Sequence, residues 1–96
     1  MKKLNYEKPK VISEIGCNHM GKIEIAKELI KMSKDAGATV AKFQKRNNKL
    51  LLTEDQYNAP HPNPYNSYGD TYGAHREYLE LSIDQHKELK DYAESI

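Results

Sequence analysis

Between Lys22 and Gly37 the apolar residues recur with a helical period, with Ile25, Leu29, Met32 and Ala36 on one stripe and Ala26 and Ile30 beside it. The spacing predicts a helix over 22–37, and Gly37 supplies the left-handed stop that ends it. Short runs of β-branched and apolar residues flank this helix. Pro9-Lys-Val-Ile-Ser-Glu-Ile15 reads as a strand over 9–15, with proline tolerated at its first position. Thr39-Val-Ala-Lys-Phe-Gln44 reads as a second strand over 39–44. Strand, helix, strand in that order is a βαβ unit, in which the crossover makes the strands parallel and the connection right-handed.

After Lys45 the periodicity breaks. Residues 45–71 hold Pro60, Pro62 and Pro64 together with Asn58, Asn63, Asn66 and Gly69, which predicts a long loop. Thr53 and Gln56 have capping-box spacing, so one short helical turn is expected inside it. Tyr57, Tyr65, Tyr68 and Tyr72 favour an ordered cover over a flexible linker. Helices are expected over 72–96: a shorter one from Tyr72 to Glu80, then one capped by Ser82 and Gln85 with Leu89 and Tyr92 on one face. This last pattern runs uncapped to Ile96. Two parallel strands cannot bury both faces of a sheet, so the expectation is a piece of a larger sheet, or a subunit completed by other chains.

Composition narrows the function classes. Against 14 Asp and Glu stand 15 Lys and Arg, a net charge of +1, so no global field recruits nucleic acid or an anionic membrane, and any anion site must be local. Met1-Lys2-Lys3 is not followed by an apolar stretch, no apolar run approaches the length of a membrane span, and Cys17 is the single cysteine. A cytoplasmic location is the expectation.

Strand parity supplies the sharpest chemical inference. Ile12 and Glu14 share one face of the first strand, with Val11, Ser13 and Ile15 on the other; Val40, Lys42 and Gln44 share a face of the second, opposite Ala41 and Phe43. If the crossover helix packs on the Ile15 and Phe43 side, then Glu14, Lys42 and Gln44 point together at the carboxyl ends of parallel strands, where α/β folds place ligands. The alternative is an ion pair of Glu14 and Lys42 buried within a core layer. In the turn Gly16-Cys17-Asn18-His19-Met20-Gly21, Asn18 and His19 either orient a substrate, hold Glu14, or only shape the turn. Cys17 reads as a small buried hydrophobe, not a nucleophile. Lys42, Lys45 and Arg46 suit a phosphate or carboxylate, or else form a solvated basic patch. His19, His61, His75 and His86 show no metal-ligand spacing.

The ordered set Glu14-Ile-Gly-Cys-Asn-His-Met-Gly21, Ala36-Gly-Ala38 and Lys42-Phe-Gln44, with Lys45-Arg46 and Tyr72-Gly-Ala-His-Arg-Glu77 behind it, resembles the amino-terminal part of the sialic acid synthase family. That family comprises the N-acetylneuraminate synthases and their legionaminate and pseudaminate relatives. The resemblance covers nearly all of the chain. It implies an α/β fold, the amino-terminal part of a (β/α)8 TIM barrel with about two βα units and a long loop; a whole barrel takes about 250 residues. It further implies condensation of phosphoenolpyruvate with an N-acetylated amino sugar such as N-acetylmannosamine, giving a nine-carbon 2-keto sugar acid and phosphate. The family uses a divalent metal, typically manganese, which polarises the sugar aldehyde. By the same resemblance Glu14 is the acidic residue near the reacting atoms, Lys42 contacts phosphoenolpyruvate and Gln44 is its polar neighbour. Asn66, Tyr72 and His75 are candidates for the sugar contact that the family carries on this loop. The family's metal-binding histidines fall beyond Ile96, so no metal ligand is assigned here. The family enzyme is a homodimer whose partner's antifreeze-like domain completes the site. Two rival readings remain: a non-catalytic anion-binding or interaction module, and an aldolase-like barrel with a Schiff base at Lys42.

Overall fold

The computed structural model describes residues 8–96. Its order is β1 (Ile12–Gly16), α1 (Ile23–Asp35), β2 (Val40–Phe43), α2 (Asn48–Leu51), α3 (Glu54–Asn58), a 3-10 turn at Pro64–Asn66, α4 (Tyr72–Leu79) and α5 (Ile83–Ser95). The two strands form one parallel pair. The expected βαβ unit is present as an α/β supersecondary element.

The turn after α1 sets the pairing. Gly37, at φ +96°, lets its own N–H reach Lys34 O at 2.9 Å and that of Ala38 reach Ser33 O at 2.9 Å, a Schellman closure. The chain then reverses within two residues, and the N–H groups of Thr39 and Val40 both donate to Val11 O at 2.9 and 3.2 Å. Ile12 lies opposite Val40, Ser13 opposite Ala41 and Glu14 opposite Lys42; an irregularity then brings Gly16 opposite Phe43. Ile15 is thus the extra residue of a bulge.

The inner sheet face is the expected one. Ile15 joins Ala26, Ile30, Leu81 and Leu89 in the core, with Ala41, Phe43 and Tyr92 packed against it. Ser33 Oγ donates to Leu29 O, so Ser13 Oγ must be the donor in its 2.7 Å bond to Ser33 Oγ, which ties β1 to α1. Helix α5 closes on α1 through Leu89 and the Lys27–Glu88 ion pair at 2.8 Å. The opposite sheet face is open: Ile12 is 59 % and Val40 42 % exposed. The Cα radius of gyration, 17.1 Å, agrees, since a closed domain of 100 residues has about 13 Å.

Several expected boundaries shift. The first strand begins at Ile12, not Pro9, because the Schellman turn leaves nothing to pair with earlier residues; Val11 precedes the paired register and is 53 % exposed despite its parity. The second strand spans 40–43, not 39–44, so Gln44 lies past it. The first helix spans 23–35, not 22–37, with Lys22 as its N-cap. The long loop is broken by more helix than the one expected turn. Thr53 and Gln56 close the foreseen capping box on α3, but Asn47 also caps α2 by accepting from Leu50 N, and Asn63 caps the 3-10 turn. The region 72–96 is two helices parted at Leu81, with the Ser82 and Gln85 box in place.

Two imidazoles complete the packing at the end of β2. The rings of His19 and His86 lie 6.1 and 6.3 Å from that of Phe43, and His19 is 2 % exposed. His19 Nδ1 accepts the Gly21 N–H at 3.0 Å, which requires an unprotonated Nδ1. Burial foremost, then the nearby His86, pushes His19 below its ordinary pKa, with Glu80 pulling the other way. Burial, then Lys45, pushes His86 down likewise, again against Glu80. His86 Nε2 is buried without a hydrogen-bond partner.

Two predictions follow from this packing. Gly21 has φ +72° and a Cβ there would lie 2.3 Å from Tyr78 O, whereas Gly37 has φ +96° and open space around it. Gly21→Ala should therefore cost about 3 kcal/mol or more in urea unfolding, against about 1 kcal/mol for Gly37→Ala; equal costs would refute the close approach. For the histidines, native pKa values lie below the unfolded ones, so the unfolded state takes up protons first as pH falls. Their stabilisation is full above about pH 6.5 and is lost as pH drops below it. His86→Phe should hold stability at pH 7 and make the fall in urea midpoint between pH 7 and 5 shallower than in the wild type.

Candidate functional site

The parallel register delivers Glu14 and Lys42 to neighbouring positions near the carboxyl ends of their strands, on the face away from α1. Lys42 Nζ stands 3.0 Å from Glu14 Oε2, with side-chain exposures of 57 % and 48 %. Of the three residues expected to point together, Glu14 and Lys42 meet and Gln44 does not, and the pair is not buried in a core layer. Because it is half in water, the ion pair is worth about 0–1 kcal/mol and opens at little cost. Beside it the bulge ends at Gly16, φ +57°, where a Cβ would sit 3.4 Å from Glu14 Oε1. A side chain there would crowd the carboxylate, and most residues would resist the backbone angle.

The remaining basic residues of the sequence pattern are each engaged. The Arg46 guanidinium donates to Gln44 Oε1, so Gln44 turns to its own loop. Lys45 pairs with Glu80 at 2.9 Å, and the same carboxylate oxygen accepts the Arg46 N–H at 3.3 Å. Glu80, whose side chain is only 14 % exposed, therefore pins the segment that leaves β2 to the end of α4. Lys45, Arg46 and Lys49 line a hollow of about 510 Å³ with Glu77, Glu80 and Ile83, flanked by Asn48, whose side-chain amide is buried and unpartnered.

In the turn after β1, His19 shapes the backbone through its Gly21 bond and is too buried to meet a ligand. Asn18 is exposed, its N–H bonded to Ile15 O at 3.0 Å. Helix α4 lies against this turn: Arg76 Nη1 is 3.8 Å from Cys17 Sγ, and the Tyr78 carbonyl faces Gly21. The tyrosine-rich segment is thereby anchored beside the strand ends. Within it Tyr57 packs under Gly73, where a Cβ would meet the ring at 2.4 Å. Tyr68 stacks on Tyr78 at 4.5 Å, and Tyr72 lies 5.9 Å from His61. Tyr65 does not join this cover, being 97 % exposed on the 3-10 turn, and Asn66 beside it is exposed as well. His75 is buried and its Nδ1 accepts the Tyr68 N–H at 3.1 Å, so it organises the loop; burial first, then His61 and Arg76, pushes its pKa down.

Chemically, the strand ends offer a carboxylate that can accept a proton or orient water, beside an ammonium that can hold an anion. Among the described residues no three His, Cys, Asp or Glu side chains converge on a metal position. No helix among them is long and apolar enough to cross a membrane. The contacts of Glu80 and Arg76 are not foreseeable from the sequence, because their partners Lys45, Arg46 and Cys17 lie far along the chain, although Arg76 stands in the Tyr72–Glu77 motif.

Comparison with known proteins shows the family of this chain. The chain matches the NeuB family over residues 29–96. It is 42 % identical over 86 residues to the N-acetylneuraminate-9-phosphate synthase of Homo sapiens, covering 90 % of this chain and 24 % of that protein. To the Drosophila melanogaster protein of the same name it is 37 % identical over 86 residues, again 90 % of this chain and 23 % of the relative. It is 32 % identical over 83 residues to the N,N'-diacetyllegionaminic acid synthase of Campylobacter jejuni, 86 % of this chain and 25 % of that protein. The chain thus spans about a quarter of the length of these curated relatives. The match takes in α4, α5 and the Lys42-Phe-Gln44 strand end that suggested the resemblance, and the chain belongs to the NeuB family.

Proposed function

We propose that the protein carrying this chain is a sialic acid synthase-type enzyme that condenses phosphoenolpyruvate with an N-acetylated amino sugar. Its fold in this reading is a (β/α)8 barrel, with β1 and β2 as the first two strands and the Glu14–Lys42 pair facing the barrel interior. The observation that carries the reading is that pair, half-exposed at the strand ends on the face opposite α1. Relatives named for N-acetylneuraminate-9-phosphate and N,N'-diacetyllegionaminic acid support it from the comparison side. No cluster of His, Cys, Asp or Glu among the described residues fits the family's divalent metal, manganese in this reading. The homodimer and the cytoplasmic location belong to the proposal for the whole protein.

In the reaction the C2=C3 π electrons of phosphoenolpyruvate form the new bond from C3 to the sugar's open-chain aldehyde carbon, and the aldehyde C=O π pair moves onto its oxygen, which takes up a proton and becomes a hydroxyl. Water adds at the electron-poor C2, giving up one proton, and phosphate then leaves with the C2–O bond electrons and the proton of the C2 hydroxyl, so a 2-keto acid remains. Lys42, as a compact cation, holds an oxygen of the phosphate or carboxylate. Anion binding draws Lys42 from Glu14, and the freed carboxylate orients the water and receives its proton. Gln44, held by Arg46, would have to leave that hydrogen bond to reach the substrate, while Asn18, Asn66, Tyr72 and the Lys45 segment lie on the elements that would border the sugar.

Phosphate release from phosphoenolpyruvate with candidate amino sugars and manganese tests the activity. Lys42→Ala should raise the KM for phosphoenolpyruvate roughly 10- to 100-fold, the worth of one charge-assisted hydrogen bond. Glu14→Gln should lower kcat by about 10²–10⁴ with a smaller change in KM, as loss of a general base does. Wild-type kinetics in both variants would overturn the assignment. Phosphoenolpyruvate binding without turnover would replace it by an anion-binding module, and a borohydride-trapped adduct at Lys42 by a Schiff-base aldolase.

A further inference from the structure

The segment between α3 and α4 is held by two imidazoles used in the same way. His61 Nδ1 accepts the Asn63 N–H at 2.8 Å, and His75 Nδ1 accepts the Tyr68 N–H at 3.1 Å. An imidazole nitrogen accepts only while it carries no proton, so both rings are fixed as the neutral form with hydrogen on Nε2. The two rings meet edge to face with centroids 4.3 Å apart. Tyr72 flanks both, at 5.9 and 6.0 Å, and Tyr68 stacks on His75 at 5.8 Å. The backbone follows closely: a Cβ on Gly69 would lie 2.7 Å from Ala74 Cβ and 2.8 Å from His75 N, so the loop seats directly on the first turn of α4.

We propose that His61 and His75 form a proton-sensitive clasp, which seats the 59–71 segment on α4 while both rings are neutral and releases it when they are protonated. Protonation turns each Nδ1 from acceptor to donor facing an N–H, so two hydrogen bonds become two repulsions. It also places two cations at 4.3 Å centroid separation. His75 suffers further, because it lies in the opening turn of α4, where the helix dipole opposes positive charge, and beside Arg76. Asp70, which lines the same hollow as His61, gives a released imidazolium a carboxylate to turn towards. The phenol rings of Tyr68 and Tyr72, from the loop and from α4, complete the surroundings of the pair. Because α4 is anchored to the turn after β1, release of the segment would leave the sheet folded.

Hydrogen exchange on the whole protein, corrected for the intrinsic rate at each pH, reads this directly and independently of activity. Between pH 7 and 5 the protection of 59–71 should fall about tenfold more than that of α1, as expected for a local opening. In the His61→Asn/His75→Asn variant, whose Oδ1 atoms stand where the Nδ1 atoms accept, the extra fall should vanish. Equal loss in the loop and α1, or an extra fall that survives in the variant, would overturn the clasp. Should the variant not fold, imidazole ¹⁵N spectra of the wild type decide: the Nε2–H form of both rings at neutral pH supports the proposal, and the Nδ1–H form of either refutes it.

Discussion

The register of β1 against β2 is the constraint on which the rest of this chain depends. It is set by the Schellman turn at Gly37, which hands Thr39 and Val40 directly to Val11 O with no slack. A slip of one residue would put Glu14 opposite Ala41 or Phe43, because side chains alternate along a strand. The Glu14–Lys42 contact would be lost together with the burial of Ile15 and Phe43 against α1. One glycine conformation therefore serves both the core and the site, which is why the two cannot be tuned separately at this point of the chain.

The βαβ unit was legible because its signals are local. The alternation of Ile12 to Ile15 and Val40 to Phe43, the helical period of α1, and the Thr53 and Ser82 capping boxes all lie within a few residues of what they control, although α1 buries Ala26 and Ile30 and leaves Met32 and Ala36 of the named stripe exposed. Strand ends were not legible, since Pro9, Lys10 and Gln44 are left out by the shortage of partners, not by their own propensities. Helix α2 escaped notice because four residues carry no period, and Leu50 is 84 % exposed. In the candidate site, Glu14 and Lys42 followed from parity alone. His19 and His75 did not, because their burial is decided by Phe43 and His86 in one case and by Tyr68 and His61 in the other.

Charge at the strand ends is arranged in separate pairs. Lys42 meets Glu14 and Lys45 meets Glu80, so these two cations are each matched by a carboxylate, while Arg46 donates to the neutral amide of Gln44 and keeps its charge. The pairs differ in burial, and that difference assigns them different work. Glu80 is mostly covered and accepts a backbone N–H besides the lysine, so breaking its pair would strand a carboxylate and loosen the loop. Glu14 and Lys42 are half in water, so an incoming anion can take Lys42 at small cost. The exposed pair is the one suited to exchange partners, and the covered pair is suited to hold the loop in place.

The histidines divide along the same line between framework and exchange. His19 and His61 each accept the N–H two residues ahead, closing turns as an Asx side chain does, whereas His75 reaches back seven residues to Tyr68. The bond to a local acceptor fixes its own turn, and the His61 ring reaches α4 only by packing on His75 and Tyr72; the longer bond of His75 joins a helix to the loop that crosses it. His19 does its work packed against Phe43, where loosening would cost the core. His75 does its work beneath a loop that shares no core residue with the sheet, so its bond can open while β1, β2 and α1 stay intact. Where a neutral imidazole sits in the packing thus determines whether acid unfolds the element it serves or only unseats it.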